Sequence, residues 1–385
     1  MTHDFDRYVE RRWTDARKYD PALCPEDTIP MWIADTDFLC PQELLNAMEK
    51  RVHQGHFGYP YNDQEFAQAV ANWQKKRFCW EVEPEWIDFA PGAIMPLLYG
   101  IRAFTAPGDK VLIQTPAYPP FYQVVENNGR RVVRNPLRLI NGRYEIDFEN
   151  LEQGLSDPRT RVMLLCNPHN PTGREFTAEE LAQIGELCVK HHIFVLADEI
   201  HGDIVYGGRR HTPLPSLDAR FADICCVAVN PSKTFNTAGL RTAAFICPNP
   251  NARALILEQR MNNKAFGRPV FGALAVKVLY NQCDYYADQM VNYLEGNLRL
   301  MQQELQDVSG ITMIQPEATY LIWLDCRELK LSQKDLMRFF KEEAKIILND
   351  GATFGTEGVG FVRMNIACPR VRLQKAMEQL KNALN

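Results

Sequence analysis

The chain has 385 residues, of which 46% are hydrophobic and 24% charged, so it can bury a large core and is expected to form two domains. Its net charge of −5 argues against nucleic acid as the main ligand, because proteins that bind polyanions usually carry a basic excess. The eleven cysteines include no Cys-x-x-Cys pair, and several stand in apolar strands, which favours buried thiols over a disulfide framework or a zinc site.

The start of the chain predicts neither secretion nor membrane insertion. Its first residues, Met-Thr-His-Asp-Phe-Asp, lack the basic and apolar parts of a signal peptide. No apolar run approaches the ~20 residues that cross a bilayer. We therefore expect a cytoplasmic protein with no membrane contact. Residues 1 to about 45 are rich in aromatic, charged and proline residues and are expected to wrap over another surface.

The next segments predict two helices separated by a turn. Residues 64–77 place Phe66, Val70 and Trp73 on one helical stripe, which is typical of a buried face. The turn Pro91-Gly-Ala-Ile94 then opens a second helix. Backbone N–H groups at such a helix start attract phosphate, and a simple helix-start turn is the alternative interpretation.

A short strand at residues 111–114 leads into Thr115-Pro-Ala-Tyr118. The ring of Tyr118 can stack on a flat heteroaromatic cofactor, although tyrosines in proline-rich loops often serve only to pack. Residues 130–157 are expected to hold a strand and a surface helix.

Three apolar runs, at residues 162–165, 193–197 and 224–229, are each followed by a polar motif. A capping box, Thr177-Ala-Glu-Glu180, starts a helix between the first two, and this strand–helix–strand order predicts a parallel sheet. Polar residues at the carboxyl ends of such strands meet at one crevice. The motifs are Cys166-Asn-Pro-His-Asn-Pro-Thr-Gly173, Asp198-Glu-Ile-His201 and Asn230-Pro-Ser-Lys-Thr-Phe-Asn-Thr-Ala-Gly-Leu-Arg241.

These motifs supply what a pyridine-type cofactor needs. Lys233 can form a Schiff base with an aldehyde, Asp198 can keep a ring nitrogen protonated, and Asn170 can donate to a phenolic oxygen. Ser232 and Arg241 can bind a phosphate. For Lys233 alone a solvated surface position is the alternative, since an unmodified lysine with a pKa of ~10.4 is protonated and a poor nucleophile.

The remainder of the chain predicts one more strand at 243–247, helices from 252 to about 305, and a smaller α+β domain. That domain has strands near 318–325 and 360–365 and helices at 333–344 and 372–384. Arg363 lies among apolar strand residues, which is a costly place for a cation without a partner. It is either an anchor for an α-carboxylate or a member of an internal salt bridge.

The ordered set Asn-Pro-Thr-Gly, Asp198, Ser-Lys and Arg241 resembles the fold-type I pyridoxal-phosphate enzymes of the aspartate aminotransferase superfamily. Across essentially the whole chain, further stretches resemble the MalY/PatB branch of cystathionine β-lyases and carbon–sulfur lyases. These stretches are residues 31–38, 55–59, 115–122, 198–201, 232–236 and 360–370.

The resemblance implies an α/β fold. Residues 46–286 would form a large domain around a mainly parallel seven-stranded sheet, and residues 1–45 plus 287–385 would form the smaller α+β domain with its N-terminal arm. The implied cofactor is pyridoxal 5′-phosphate, and no metal is implied. Tyr59 resembles a tyrosine that reaches the phosphate of the neighbouring subunit's cofactor, which implies a homodimer with shared active sites.

The resemblance also implies roles for individual residues. Asn230 stands where a phosphate-binding serine or threonine is common, and His201 stands where aminotransferases usually have tyrosine. The implied catalytic residues are Lys233, Tyr118 and Asp198. The implied cofactor contacts are Lys233, Asn170, Asp198, His201, Tyr118, Ala93, Ile94, Ser232, Arg241 and Tyr59. The implied substrate contacts are Arg363, Ala34 and Tyr59.

The activity implied is that of a carbon–sulfur β-lyase. Such an enzyme cleaves L-cystathionine or cysteine S-conjugates by β-elimination to a thiol, pyruvate and ammonia, the thiol from cystathionine being homocysteine. Two alternatives remain open, an aminotransferase of class I/II and a regulatory binding protein that retains the fold.

Overall fold

The computed structural model describes residues 2–61, 64–265 and 267–384. Within these residues, the large sheet has the strand order β1-β7-β6-β5-β4-β2-β3, and β7 alone runs antiparallel to its neighbours. The predicted α/β fold with a mainly parallel seven-stranded sheet is confirmed. The strands are β1 (Ile87–Ala90), β2 (Lys110–Thr115), β3 (Arg131–Pro136), β4 (Thr160–Cys166), β5 (Phe194–Asp198), β6 (Cys225–Val229) and β7 (Ala243–Ile246).

Helices cover the faces of this sheet and connect its strands. The predicted capping box of α6 is present, since the side chains of Thr177 and Glu180 each accept from the other's backbone N–H. The helices are α1 (Gln42–His53), α2 (Gln64–Phe78), α3 (Ile94–Phe104), α4 (Pro119–Glu126), α5 (Phe148–Leu155), α6 (Ala178–Lys190), α7 (Ala219–Asp223), α8 (Ser232–Phe235), α9 (Pro250–Asn262), α10 (Val270–Gln282), α11 (Asp284–Leu305), α12 (Gln333–Arg338) and α13 (Arg370–Leu384).

The strand order creates a crevice at the carboxyl ends of the parallel strands. From β2 the chain moves outward to β3 and then returns to the other side of β2 as β4, continuing through β5 and β6. Ligands of open α/β sheets bind where the order reverses in this way. Helix α3 lies so close against the sheet that a Cβ at Gly100 would stand 2.3 Å from Leu196 Cδ2 of β5.

A second, antiparallel sheet lies in the C-terminal part, with the order β8-β9-β11-β10. Its strands are β8 (Thr312–Met313), β9 (Leu321–Asp325), β10 (Asn349–Asp350) and β11 (Phe361–Asn365). The N-terminal arm joins this region, since Ile29–Pro30 pairs in parallel with Ile346–Ile347. The arm is also anchored by Phe5, which is buried against Phe38 and Tyr286.

Several elements differ from the sequence-based expectation. The 130–157 stretch holds a hairpin, Arg138–Ile140 with Arg143–Glu145, besides the expected strand and helix. The helix expected at 333–344 is α-helical only as far as Arg338, and a π-helical turn follows over Phe339–Glu343. The domain limits predicted at residues 45/46 and 286/287 fall inside α1 and α11, and they stay a prediction.

Across the described ranges, no helix combines the length and apolar character that crossing a bilayer requires. The cysteines predicted to be buried in strands, Cys166, Cys225, Cys226 and Cys247, are all buried.

Candidate active site

Lys233 lies at the crevice, in the short helix α8 that follows β6. Its amine donates a 2.7 Å hydrogen bond to the carbonyl oxygen of Ala34 in the N-terminal arm. Burial and the nearby charge of Arg363 lower the pKa of Lys233 to about 8, against the opposing effects of Asp35 and Asp198. The side chain is therefore not a freely solvated surface lysine, and a minor fraction of its amine is neutral near physiological pH.

Asn236 fixes the end of α8 and ties it to the arm. It adopts a left-handed conformation with φ 57°, which ends the helix directly after Phe235. Its side chain accepts from the backbone N–H of Thr36 at 3.2 Å and donates to the carbonyl oxygen of Phe38 at 3.1 Å. Asn236, which follows β6 of the large sheet, thus holds the arm beside Lys233.

Asp198 ends β5 and is 3% exposed. Within the described part of the chain, its carboxylate accepts one hydrogen bond, from the backbone N–H of Ile200 at 3.3 Å. Burial raises its pKa to about 7, although Lys233 acts to lower it. A buried carboxylate with so little support is stabilised by a cationic N–H donor, and a protonated pyridine nitrogen is such a donor.

Asn170 and His201 follow β4 and β5, and both are buried. Asn170 accepts from Arg363 through Oδ1, which leaves its Nδ2 group as a possible donor to a ligand. Burial and the charges of Lys233 and Arg363 hold the pKa of His201 well below its usual range, so the imidazole is neutral. Its Nδ1 is buried and finds no hydrogen-bond partner among the residues described, which marks a place for a polar ligand atom.

Arg363 lies in β11 and is 4% exposed. Its terminal nitrogens donate to Asn170 Oδ1 at 2.9 Å, to the Trp32 carbonyl oxygen at 3.1 Å and to Asn349 Oδ1 at 2.5 Å. These acceptors, the ones recorded within the described ranges, are amide or carbonyl oxygens. Among these residues Arg363 therefore does not form the internal salt bridge that was the alternative. Nε is buried and lacks a partner there, so the guanidinium can still receive a carboxylate.

The start of α3 suits a phosphate group. The helix begins at Ile94 after Ala93, and no side chain of the described residues caps it. The N–H groups of a first helical turn have no partner within the helix, and together with the helix dipole they bind anions. Gly92 precedes them with φ 104°, a conformation that favours glycine.

Tyr118 follows β2 and is half-buried. Burial raises the pKa of its phenol, with Arg363 lowering it and Asp198 raising it, so the ring lies within reach of both charges. Its ring meets Phe121 edge to face, with centroids 5.8 Å apart. This placement is compatible with stacking on a cofactor.

The structure explains why asparagine stands at position 230. Asn230 Oδ1 accepts from the backbone N–H of Ser232 at 3.0 Å, so Asn230 supports the start of α8. Ser232 is buried beside Lys233, whereas Arg241 is exposed and has a left-handed φ of 47°.

Tyr59 is not brought to this site within one subunit. It is fully exposed, at 102%, and Phe57 and Tyr61 beside it are exposed as well. Its role in cofactor or substrate binding therefore stays a prediction that depends on a second subunit.

Two residues at the site were missed by sequence reasoning. Asn365 donates to the carbonyl oxygens of Ile33 and Asp35, both at 2.6 Å, and the Tyr320 hydroxyl donates to that of Ala34 at 3.2 Å. Asn365 had a signal, since it lies two positions after Arg363 on the same face of one strand. Tyr320 precedes an apolar strand, and nothing in the sequence indicated that it lies at the site.

The residues present fit pyridoxal phosphate. Among the described residues, the crevice holds an amine of lowered pKa, a buried carboxylate with one hydrogen bond and an imidazole nitrogen without a partner. The start of α3 has no side-chain cap among these residues. Residues 27–380 match the model of the family "Aminotransferase class I and II". The chain belongs to this family. Its members share this fold while differing in chemistry, so individual relatives matter.

The relatives place the chain in the branch of the cystathionine β-lyases. "Cystathionine beta-lyase PatB" of Bacillus subtilis is 40% identical over 99% of this chain and 100% of its own length. "Protein MalY" of Escherichia coli is 32% identical over 99% of this chain and 98% of its own. The crystal structure of cystalysin from Treponema denticola, which contains pyridoxal 5′-phosphate, superposes with a TM-score of 0.97 at 32% identity, covering 100% of this chain and 99% of that one.

Proposed function

We propose that this protein is a pyridoxal 5′-phosphate-dependent carbon–sulfur β-lyase that cleaves L-cystathionine or cysteine S-conjugates to a thiol, pyruvate and ammonia. The observation that carries the proposal is the meeting of Lys233, Asp198 and Arg363 at one crevice, where their charges act on one another. The lyase name of the 40% identical relative supports this activity over transamination.

The division of labour follows from the chemistry of each group. When bound, pyridoxal phosphate withdraws electrons from the α-carbon of an amino acid. Asp198 would supply the negative charge that keeps the ring nitrogen protonated, Asn170 would donate to the phenolic oxygen, and His201 would supply a further polar contact. Ala93, Ile94, Ser232 and Arg241 would receive the phosphate, and Tyr118 would stack on the ring.

Arg363 holds the substrate by its α-carboxylate. A guanidinium offers two parallel N–H donors to a carboxylate, and burial in β11 strengthens these hydrogen bonds. The carbonyl oxygens of Trp32, Ile33 and Asp35 accept from Arg363 and Asn365, which fixes this part of the arm beside the guanidinium. The substrate's α-carbon is thereby directed toward Lys233.

Lys233 acts as the base. Its lowered pKa of about 8 leaves part of the amine population unprotonated at neutral pH, and an unprotonated amine can accept the proton from the α-carbon. The bond between the β-carbon and sulfur then breaks, and its electron pair leaves with the thiolate. Hydrolysis of the remaining three-carbon fragment gives pyruvate and ammonia.

The enzyme works as a homodimer in which Tyr59 enters the site of the other subunit. Exposure of Phe57, Tyr59 and Tyr61 on one segment supports this, because contiguous exposed aromatic residues mark interaction surfaces. A cytoplasmic location is supported by the eleven cysteines, which are all free.

Product analysis tests the proposed function. Purified enzyme is incubated with cystathionine or an S-alkyl cysteine in the absence of any keto acid. The lyase releases pyruvate and thiol in equal amounts, and Lys233→Ala abolishes both. Turnover that requires an added keto acid would identify an aminotransferase instead. A partner-binding function that persists in Lys233→Ala, without lyase turnover in the unsubstituted protein, would indicate a regulatory role.

A further inference from the structure

Behind Asp198 lies a group of three buried ionisable side chains, Glu175, Glu199 and His211, here called the acid–histidine cluster. Their exposed fractions are 6%, 5% and 2%. His211 Nδ1 lies 2.8 Å from Glu175 Oε1 in a hydrogen bond, and His211 Nε2 lies 3.1 Å from Glu199 Oε2 in an ion-pair contact whose angle is not that of a hydrogen bond. The mechanism above uses none of the three.

The geometry indicates that His211 carries a positive charge. A neutral imidazole has one N–H, whereas an imidazolium has two and can face an acceptor at both nitrogens. Two carboxylates buried side by side are unfavourable without a cation between them. Burial alone lowers the pKa of His211, but Glu175 and Glu199 outweigh it and raise the pKa to about 10.

The cluster joins the two loops that carry the predicted cofactor contacts. Glu199 directly follows Asp198 at the end of β5. Glu175 closes the loop that contains Asn170, and its Oε1 also accepts from Asn167 Nδ2 at 3.3 Å. The backbone N–H of Asn167 in turn donates to the Asp198 carbonyl oxygen at 3.1 Å. The imidazolium thus closes a ring of contacts across the ends of β4 and β5.

Close packing prevents the imidazole from shifting. A Cβ at Gly202 would lie 2.9 Å from His211 Cδ2 and 3.2 Å from the Glu199 carbonyl oxygen. On another side, the ring of Phe78 meets His211 edge to face at 5.3 Å and 85°. The position of His211 therefore determines where both carboxylates lie.

We propose that His211 is a positioning residue, which holds Asp198 and Asn170 in a fixed relation to each other by bridging Glu199 and Glu175. The proposal rests on the assignment of Asp198 and Asn170 as cofactor contacts. It goes beyond that assignment, because His211 is not among the residues assigned to the cofactor or the substrate.

The test compares the holoenzyme with His211→Gln, which cannot donate in two opposite directions. The matched control is His191→Gln, since His191 lies in a surface pair with Glu152. We expect His211→Gln to lower kcat roughly ten- to a hundredfold, as misplacement near a reacting centre does, with KM changed far less because Arg363 is untouched. Its cofactor absorption should also be lost faster on dialysis than that of the control.

A folded His211→Gln enzyme with a lowered Tm but normal kcat and cofactor retention would overturn the proposal, because the cluster would then only stabilise the fold. Asp198→Asn serves as a reference. If it leaves cofactor retention intact, the assignment of the cofactor contacts fails, and if it alone impairs retention, only the role of His211 fails.

Two further measurements apply if His211→Gln does not fold. Glu175→Gln keeps an acceptor for Nδ1 and should give a smaller loss of kcat in the same direction, so an unchanged kcat contradicts the proposal. In holoenzyme labelled with ¹⁵N-histidine, NMR at neutral pH should show two slowly exchanging ring N–H protons from one histidine. In Glu175→Gln both signals should be shifted or absent. A single ring N–H on His211 would refute the bridge.

Discussion

The amine of Lys233 donates a hydrogen bond of 2.7 Å to the carbonyl oxygen of Ala34, which stands 199 positions earlier in the chain. The same oxygen accepts from the Tyr320 hydroxyl at 3.2 Å. The N-terminal arm, the large sheet and the C-terminal sheet therefore meet at one atom. The arm is part of the site, and its local supports should affect catalysis.

Asn365→Ala tests the support of the arm. The substitution removes two 2.6 Å hydrogen bonds, to the carbonyl oxygens of Ile33 and Asp35. We expect kcat/KM to fall by roughly tenfold, since each neutral hydrogen bond contributes about 1 kcal/mol. Asn72→Ala is the control, because Asn72 is exposed on α2 and accepts from its helix neighbour Gln68, away from the arm. Steady-state kinetics that do not distinguish the two variants would show that the arm needs no such support.

Arg363→Lys tests the carboxylate anchor. Lysine keeps the charge but loses the planar pair of donors, so KM for the amino acid should rise and kcat/KM should fall about a hundredfold, given ~1.5–3 kcal/mol for a charge-assisted hydrogen bond. Arg327→Lys, an exposed position paired with Asp325, is the matched control. The assignment fails if KM stays normal in Arg363→Lys while the protein remains folded.

Asp198→Asn tests the carboxylate opposite the ring nitrogen through its effect on stability. In the cofactor-free protein the folded-state pKa of Asp198 is about 7, above its ordinary value of 3.8. Between these values the folded chain holds a proton that the unfolded chain has lost, so the stability contributed by this group falls as pH rises from about 4 to about 7. The variant lacks this loss. As the pH rises through this window, the unfolding midpoint of the variant should therefore increase relative to that of the unsubstituted protein.

Thermal unfolding of the cofactor-free proteins at several pH values checks this difference. Asp307→Asn is the control, because Asp307 is exposed. A difference between Asp198→Asn and the unsubstituted protein that stays constant with pH would contradict a raised pKa of Asp198.

Mixed dimers test whether active sites are shared. Tyr59→Ala subunits keep Lys233, and Lys233→Ala subunits keep Tyr59, so a dimer of one of each contains one complete site if Tyr59 acts across the interface. Random mixing should restore about a quarter of the unsubstituted activity, because half of the dimers are mixed and each has one working site. If Tyr59 acts within its own subunit, every Lys233-bearing site lacks Tyr59 and mixing restores nothing.

The strand-end motifs of the site were predictable from the sequence because their signals are local. An apolar run followed by a polar motif locates Asp198 and Lys233 at the carboxyl ends of β5 and β6, and the structure has both there. By contrast, β1 has only four residues and includes Asp88, and α1 buries only Leu44, so neither showed a clear apolar pattern.

Contacts between distant segments were not predictable. Nothing in the arm's sequence shows that the Ala34 carbonyl oxygen receives Lys233, since any backbone carbonyl looks the same in a sequence. The acid–histidine cluster was missed for a related reason. Glu175, Glu199 and His211 are separated in the chain, and only the fold buries them together. The sequence showed that Arg363 lies among apolar neighbours, but its hydrogen-bond partners became known only from the structure.

Lys233 is proposed to carry the cofactor, and chemical trapping of the bond between them shows which lysine does so. The holoenzyme is reduced with borohydride, which makes the bond between cofactor and lysine permanent, and is then digested and mapped by mass spectrometry. We expect a pyridoxyl group on Lys233 and on no other lysine. A pyridoxyl group on a different lysine, or none on any, would contradict it.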